Sequence, residues 1–508
     1  METSVDSQDP SPLPISPPSH LSLFRNILTG SSIYGVALVA PMVASVLLSP
    51  ITTRCLTQND FGVSELLTNV ASVLSCLLSV NLSAALGYFY FGATDAAGRR
   101  NASGTAILGS ALLGTAAAIL CWPLAPLLNR LLFPDTNATG YLRFVVAILP
   151  GAFTLDALLT WLRVENRSRK FVIGSVLRVL LTIAGTLLFV QALRRGIWGV
   201  LITSGCAIVL VLAYLAADWL RHMKPAMDAH LFASMAKFSL PITASAVATF
   251  FLHFGDRFFL PHYRPFAELA VYSIAYKIGM VMSTIYGAFS IYWNAQVFPI
   301  MRREDSPDVF RRISTYVFLM ISLMGLGLVV FSQPAIHILY RKNYWGAAGL
   351  VPILVLAYFC RSIWDFIRCL FLVEGRPGYD AVCTFMGTGI CLAGYILLIP
   401  RFGIWGAAIA TVIAFAGLAV ISLSWTHRLH RYSVDTPRLI KIAVALAVAL
   451  ALHWLAPGSS ISMGIARGIL SVGVFCALLW MLRFPTPGEW KLARAAAGGI
   501  RARLIPAR

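Results

Sequence analysis

The chain has 508 residues, of which 58% are hydrophobic and 12% charged, with a mean hydropathy of +0.77 and a formal net charge of +19. A soluble domain carries roughly twice that charged share, and no water-soluble fold of this length could enclose so much apolar surface, so this is the composition of a polytopic membrane protein. The basic surplus is spread over many short segments, which fits anionic lipid headgroups and excludes a nucleic-acid patch.

In chain order, residues 1–20, "METSVDSQDPSPLPISPPSH", hold acids and prolines but no basic start or cleavable apolar core. They read as part of a disordered cytoplasmic tail (1–25) and not as a signal peptide. A bilayer-spanning helix takes about 20 apolar residues, and fourteen such runs follow: 28–50, 63–90, 105–128, 141–162, 171–193, 197–217, 240–261, 269–299, 314–334, 346–372, 378–400, 403–426, 439–456 and 462–482. They are continuously apolar, which predicts helices and excludes an alternating barrel pattern. With the N-terminus inside, the inner segments hold more than twice as many Lys and Arg as the outer loops, placing both termini in the cytoplasm. The sequence ends in a basic tail, 484–508.

Two words recur along the chain. "GIWG" occupies 196–199 and 403–406, an offset of 207; "DALLTWLRVENR" (156–167) lies against "DFIRCLFLVEGR" (365–376), an offset of 209. Upstream, Arg54 in "TTRCLTQNDFGVSE" aligns with Arg257 in "GDRFFLPHYRPFAELAVYS" at offset 203. Ordered matches at nearly one offset predict a six-helix unit written twice, over 26–217 and 240–427. A linker (218–239) joins the copies and two additional helices (428–483) follow. Six is even, so the expected fold is an all-α protein of two parallel six-helix bundles about a pseudo-twofold axis along the membrane normal.

Nine scattered cysteines without a CxxC pair point away from a disulfide framework or metal site. No GxxxxGK[ST] loop is present, which excludes a P-loop nucleotide hydrolase. No cofactor is implied.

The stretches "MAKFSLPITASAVATFFLHFGDRFFL" (235–260), "AVYSIAYKIG" (270–279), "RCLTQNDFGVSELL" (54–67), "VPILVLAYFCRSI" (351–363) and "LIPRFGIWGAAIATVIA" (398–414) resemble the polysaccharide transporter family. These are the Wzx-type oligosaccharide flippases of the multidrug, oligosaccharidyl-lipid and polysaccharide exporter superfamily. Leu269-Ala270 and the "PHYRP" turn (261–265) depart from the family pattern. The resemblance implies a flippase, not an enzyme, of the bacterial inner membrane. It would carry a lipid-linked oligosaccharide, usually on undecaprenyl pyrophosphate, to the outer leaflet for surface or exopolysaccharide assembly. Membrane lipids and polysaccharide polymerase or export proteins are the implied partners.

Such a task needs cations for phosphate and polar groups for sugar, and ionisable groups inside spans are the first suspects. Lys277, eight residues into the eighth run and beside Tyr276, is the leading candidate for a phosphate or ion-coupling contact; the alternative is a lysine snorkelling to headgroups. Asp256 and Arg257, with His253 a turn earlier, form a gate or cation site, or else a helix-end ion pair. Arg361, Asp365 and Arg368 share one helix face as a stripe of net charge +1. Arg178 is a portal contact or an ion partner inside its bundle; Arg54 stands as the repeat mate of Arg257. Among the amides Asn69, Asn81, Asn294 and Gln296, Asn294 is kept as a sugar contact. Trp122, Trp198, Trp219, Trp405 and Trp454 read as interfacial anchors. The rival readings are a drug/cation antiporter, which wants an exposed carboxylate deep in a cavity, and a multispan glycosyltransferase or polymerase, which wants a sizeable outer loop.

Overall fold

A computed structural model describes residues 40–222, 226–303, 305–429, 434–455 and 460–484, and among these the chain is helical throughout, without strands. Thirteen helices are long and apolar enough to cross a membrane. They match the second to fourteenth apolar runs in order. The first run is represented by a helix over 40–55, α1; its earlier part, and both tails, lie outside the described residues.

The others are α2 (Gln58–Gly92), α3 (Ala96–Leu132), α4 (Thr139–Val164), α5 (Ser168–Ala192), α6 (Gly196–Arg221), α7 (Ala229–Phe254), α8 (Phe266–Asn294), α9 (Ser306–Leu339), α10 (Lys342–Val373), α11 (Gly378–Phe402), α12 (Ile404–Thr426), α13 (Thr436–Leu455) and α14 (Ile461–Met481). Several overrun their apolar runs, because a helix continues with polar residues once it leaves hydrocarbon. α7 begins where Asp228 accepts hydrogen bonds from the amides of His230 and Leu231, an N-cap, so much of the expected linker is helix and Pro241 lies inside α7.

The repeated words are turns. Asn166 and Gly375 have φ of +55° and +67°, and each is followed by a residue whose amide reaches back five positions, Arg167 to Leu162 (2.8 Å) and Arg376 to Phe371 (2.9 Å). This is the same Schellman cap at the end of α4 and of α10. Gly196 and Gly403 both take positive φ, +60° and +55°, which glycine does without steric cost. A Cβ on Gly199 would stand 2.8 Å from the Phe189 carbonyl oxygen, and one on Gly406 2.2 Å from that of Leu398. Both glycines let one helix lie against the backbone of the helix before it. The offset falls from 209 to 207 across α5, where the first copy widens into a π-helical turn at Thr186–Ala192, the way a helix absorbs inserted residues.

The first lobe, α1–α6, is held by Leu158, Trp161, Val211 and Leu215. The second, α7–α12, packs around Tyr276, Tyr358, Tyr395 and Phe415. α13 and α14 lean on α9 through Ile442, Ala445 and Phe475 against Leu326 and Val330. The lobes meet on both faces of the slab. On the face carrying the α1–α2 turn, Gln58 Nε2 donates to the Asn343 carbonyl (2.7 Å), Phe61 meets Tyr344 edge-on, and the Gly62 backbone touches that of Phe266. On the α6–α7 face, Asn101 donates to Asp228 (3.4 Å) and Tyr88 stacks on Phe238. α7 serves both lobes, its start lying on α3 and its end receiving Thr388 Oγ1 at the Ala248 carbonyl (3.0 Å).

Candidate functional site

A cavity of about 590 Å³ is lined by α1, α2, α4, α5 and α6 of the first lobe and by Lys277 of α8 from the second. Three hydroxyl faces point into it: Ser45, Ser49 and Thr52 on α1, Ser64 and Thr68 on α2, Ser175, Thr182 and Thr186 on α5. Each set follows helical spacing, so one side of each helix is polar at membrane depth.

The charged groups of this wall are Glu65, Asp156, Arg163, Arg178 and Lys277, three cations against two carboxylates. Lys277 Nζ donates to Glu65 Oε1 at 2.6 Å, joining α8 of one lobe to α2 of the other, and lies 5.2 Å from the Phe61 ring centroid. Arg163 Nη2 donates to Thr160 (2.8 Å). Asp156 accepts from Ser83 Oγ (2.7 Å). Arg178 has no ion-pair partner within 4 Å among the described residues. A cationic, hydroxyl-lined chamber in low dielectric attracts an anion with exposed hydroxyls far more strongly than the same groups in water.

The duplicated unit shows how the two lobes differ at this place. Thr186, Thr182 and Val179 of α5 correspond to Tyr395, Cys391 and Thr388 of α11. Tyr395 is fully buried and fills the space that Thr186 leaves, while Thr388 and Cys391 tie α11 to carbonyls of α7. Their first-lobe counterparts face the cavity instead.

Of the residues singled out from sequence, Lys277 and Arg178 line this cavity. Asp256, Arg257 and Tyr276 do not: they are buried in the second lobe, with His253 beside them. There Arg257 pairs with Asp256 (3.2 Å) and lies over the Tyr276 ring (4.1 Å). The Tyr272 hydroxyl donates to Asp256 and the Tyr276 hydroxyl to the His253 carbonyl. The helix-end surface pair is thus corrected to an interior network. Arg54 is exposed and does not share the surroundings of Arg257. The stripe of net charge +1 is also corrected. Arg361 pairs with Asp365 (3.0 Å), and Arg368 with Asp380 of α11 (2.8 Å), so two acids balance two bases. Asn294 is exposed and donates to Ser290 (3.2 Å). Trp219 is buried at 4% exposure and is no interfacial anchor.

Glu65, Asp156 and Arg163 were not among the sequence candidates for the site. The hydroxyl faces carried a signal, since Ser45, Ser49 and Thr52 recur at helical spacing inside an apolar stretch. The Glu65–Lys277 pair carried none, because 212 positions separate its members.

The family model for "Polysaccharide biosynthesis protein" matches residues 51–349, more than half of the chain. The chain belongs to the polysaccharide biosynthesis protein family. Among solved structures, this family member resembles the lipid II flippase MurJ in its inward closed conformation. The TM-score is 0.72 with 14% identity, over 90% of this chain and 99% of that one. An inward-facing multidrug resistance MATE family transporter of the MOP superfamily gives TM-score 0.61 and 17% identity, over 78% and 94%. A MOP superfamily transporter from Pyrococcus furiosus gives 0.55 and 17%, over 78% and 94%. The polysaccharide biosynthesis family member therefore has the fold seen in these multi-pass transporters. An uncharacterized membrane protein of Methanocaldococcus jannaschii, MJ1068, is 25% identical over 118 residues, a match that spans 23% of this chain and 23% of that relative.

Proposed function

We propose that this protein flips a lipid-linked oligosaccharide, on a polyprenyl pyrophosphate, from the cytoplasmic to the outer leaflet of a bacterial inner membrane. The flipped glycan feeds surface or exopolysaccharide assembly. The observation that carries the reading is the first-lobe cavity: three cations and rows of hydroxyls gathered among spanning helices in a member of a polysaccharide biosynthesis family. Its volume lies in the range of small-ligand pockets, about 300–1,000 Å³, room for a pyrophosphate and the sugar next to it.

In this reading both termini are cytoplasmic and the α1–α2 face is the outer one. The cavity runs from Thr52 and Phe61 near that face to Arg163 and Phe171 beside the α4–α5 turn, on the cytoplasmic side. Arg163 and Arg178 receive the pyrophosphate, Lys277 holds it against the seam between the lobes, and the polyprenyl tail stays in lipid. Rocking of the lobes then exchanges the closed seam on one face for the other. Polymerase and export proteins are its proposed partners on the outer side.

A cation antiporter of the same fold would hold its substrate on an uncompensated carboxylate. Here Glu65 is engaged by Lys277; Asp156 has the Ser83 hydroxyl and no ion pair, but three cations stand against two carboxylates in the wall, which favours an anionic cargo.

The test is reconstitution of the purified protein in vesicles holding a fluorescent polyprenyl-pyrophosphate oligosaccharide, with an impermeant glycosidase outside. The reading predicts that protein-bearing vesicles expose the inner pool to digestion while protein-free vesicles do not. Equal protection in both rejects it, and protein-dependent uptake of cationic dyes in its place supports the antiporter.

A further inference from the structure

A separate cavity, of about 240 Å³, lies between the second lobe and α13, on the face where α9 and α13 begin and α10 and α12 end. Phe310 and Phe318 of α9, Phe366 of α10, Leu423 and Thr426 of α12 and Leu439 of α13 line it. It is smaller than a small-ligand pocket of about 300–1,000 Å³ and suits one large side chain better than a lipid headgroup. Leu423 is 40% exposed, so that side of the pocket is open.

One polar atom interrupts the apolar lining. Thr426 is 9% exposed, and its Oγ1 has no hydrogen-bond partner among the described residues. The other hydroxyl of the lining, Ser314, already donates to the Arg311 carbonyl (3.0 Å). A buried hydroxyl left unpaired is costly, and an apolar occupant with a single hydrogen-bonding group removes that cost.

The chain passes out of the described residues beside this pocket. Phe484 is buried at 5% exposure, with the Arg438 guanidinium 5.6 Å from its ring centroid, and Arg438 precedes Leu439 of the pocket wall. Phe318 of the same wall packs against the cluster that contains Phe484. The next residues, "PTPGEWKL" (485–492), put Trp490 six positions further on, a span of up to about 20 Å. The large apolar side chains of 485–508 are Trp490, Leu492, Ile500, Leu504 and Ile505. Of these only the tryptophan joins an apolar body to a hydrogen-bond donor.

We propose that the segment 485–508 docks back onto the protein at this pocket, with Trp490 filling it and the indole N–H donating to Thr426 Oγ1. Docked there, the segment ties the start of α13 to the ends of α10 and α12 and holds the two additional helices against the second lobe. The docking does not depend on the proposed transport function.

The test is limited trypsin digestion of the purified full chain in lipid nanodiscs, with cleavage after Lys491 and Arg494 followed by mass spectrometry. Cleavage of a docked segment follows the fraction that is undocked, so wild type should be cut there at least about tenfold more slowly than Trp490→Ala. Leu423→Trp, which crowds the pocket from its open side and leaves the segment intact, should be cut as fast as Trp490→Ala. Thr426→Val, which keeps the shape and removes only the acceptor, should be intermediate. Equal rates in wild type and Trp490→Ala overturn the proposal and leave the pocket to a lipid chain. Protection lost in Trp490→Ala but kept in both pocket variants places the segment on the bilayer and overturns it too. No transport is measured, so a failed flipping assay leaves the result standing.

Discussion

Lys277 and Glu65 hold opposite charges in contact across the two lobes, each about one-fifth exposed to the cavity. Removing one member of such a pair strands the other charge, whereas replacing both leaves nothing unpaired. Lys277→Met and Glu65→Gln should each lower stability, by about 1–3 kcal/mol, and the double variant should recover most of it in thermal unfolding. Transport should not recover with it: Lys277→Met, alone or paired, and Arg178→Ala should each lose at least about tenfold in the vesicle assay, the scale of a lost charged contact of roughly 1.4 kcal/mol. Recovery of flipping in the double variant would assign Lys277 a purely structural role. At this scale the sequence was half legible. A lysine or arginine inside an apolar run declares itself by its cost, which is how Lys277 and Arg178 were found. The same criterion also selected Arg257, Arg361 and Arg368, whose cost is offset internally by Asp256, Asp365 and Asp380. Only the fold distinguishes a cation facing a chamber from one sealed against an acid.

Helices in this molecule are joined by turns whose glycines do the same work twice. Gly199→Ala and Gly406→Ala each drive a Cβ into a carbonyl oxygen of the preceding helix and should destabilise by about 1–3 kcal/mol. Gly327, with open space where a Cβ would stand, should tolerate alanine and gain roughly 0.5–1 kcal/mol in helix propensity. Parallel melting curves of the three variants check this. At the start of α7, the amides of Leu231 and His230 hold the Asp228 carboxyl below its usual range. Its contribution is therefore present above the ordinary carboxylate pKa and is lost as pH falls through the depressed one. Asp228→Asn should keep the cap and flatten that acid-side dependence. Turn chemistry was legible as repeated words, but its meaning was not. "VENR" and "VEGR" read as matching letters until Asn166 and Gly375 are seen in the same left-handed position.

Across the whole molecule, the apolar runs and the duplication were enough to predict the helix order and the paired-lobe fold. The difference between the lobes was not predictable from them. Thr186 and Tyr395 occupy equivalent positions, and which of them leaves or fills space there depends on the packing of neighbouring helices. The seam on the α1–α2 face has its own test. Cysteines at Gln58 and Asn343, joined by a short reversible thiol cross-linker, should hold that face shut and abolish flipping, and reductant should restore it. Full activity in the cross-linked protein would mean that this seam does not open during transport.

The central claim, movement of a lipid-linked glycan across the bilayer, is tested most directly by depleting the protein in its native host and asking which leaflet holds the glycan. An impermeant lectin is applied to intact and then to opened spheroplasts. The account predicts full-length repeat units trapped on the inner face, released by wild-type protein and not by Lys277→Met. Glycan that still reaches the outer face after depletion would contradict it.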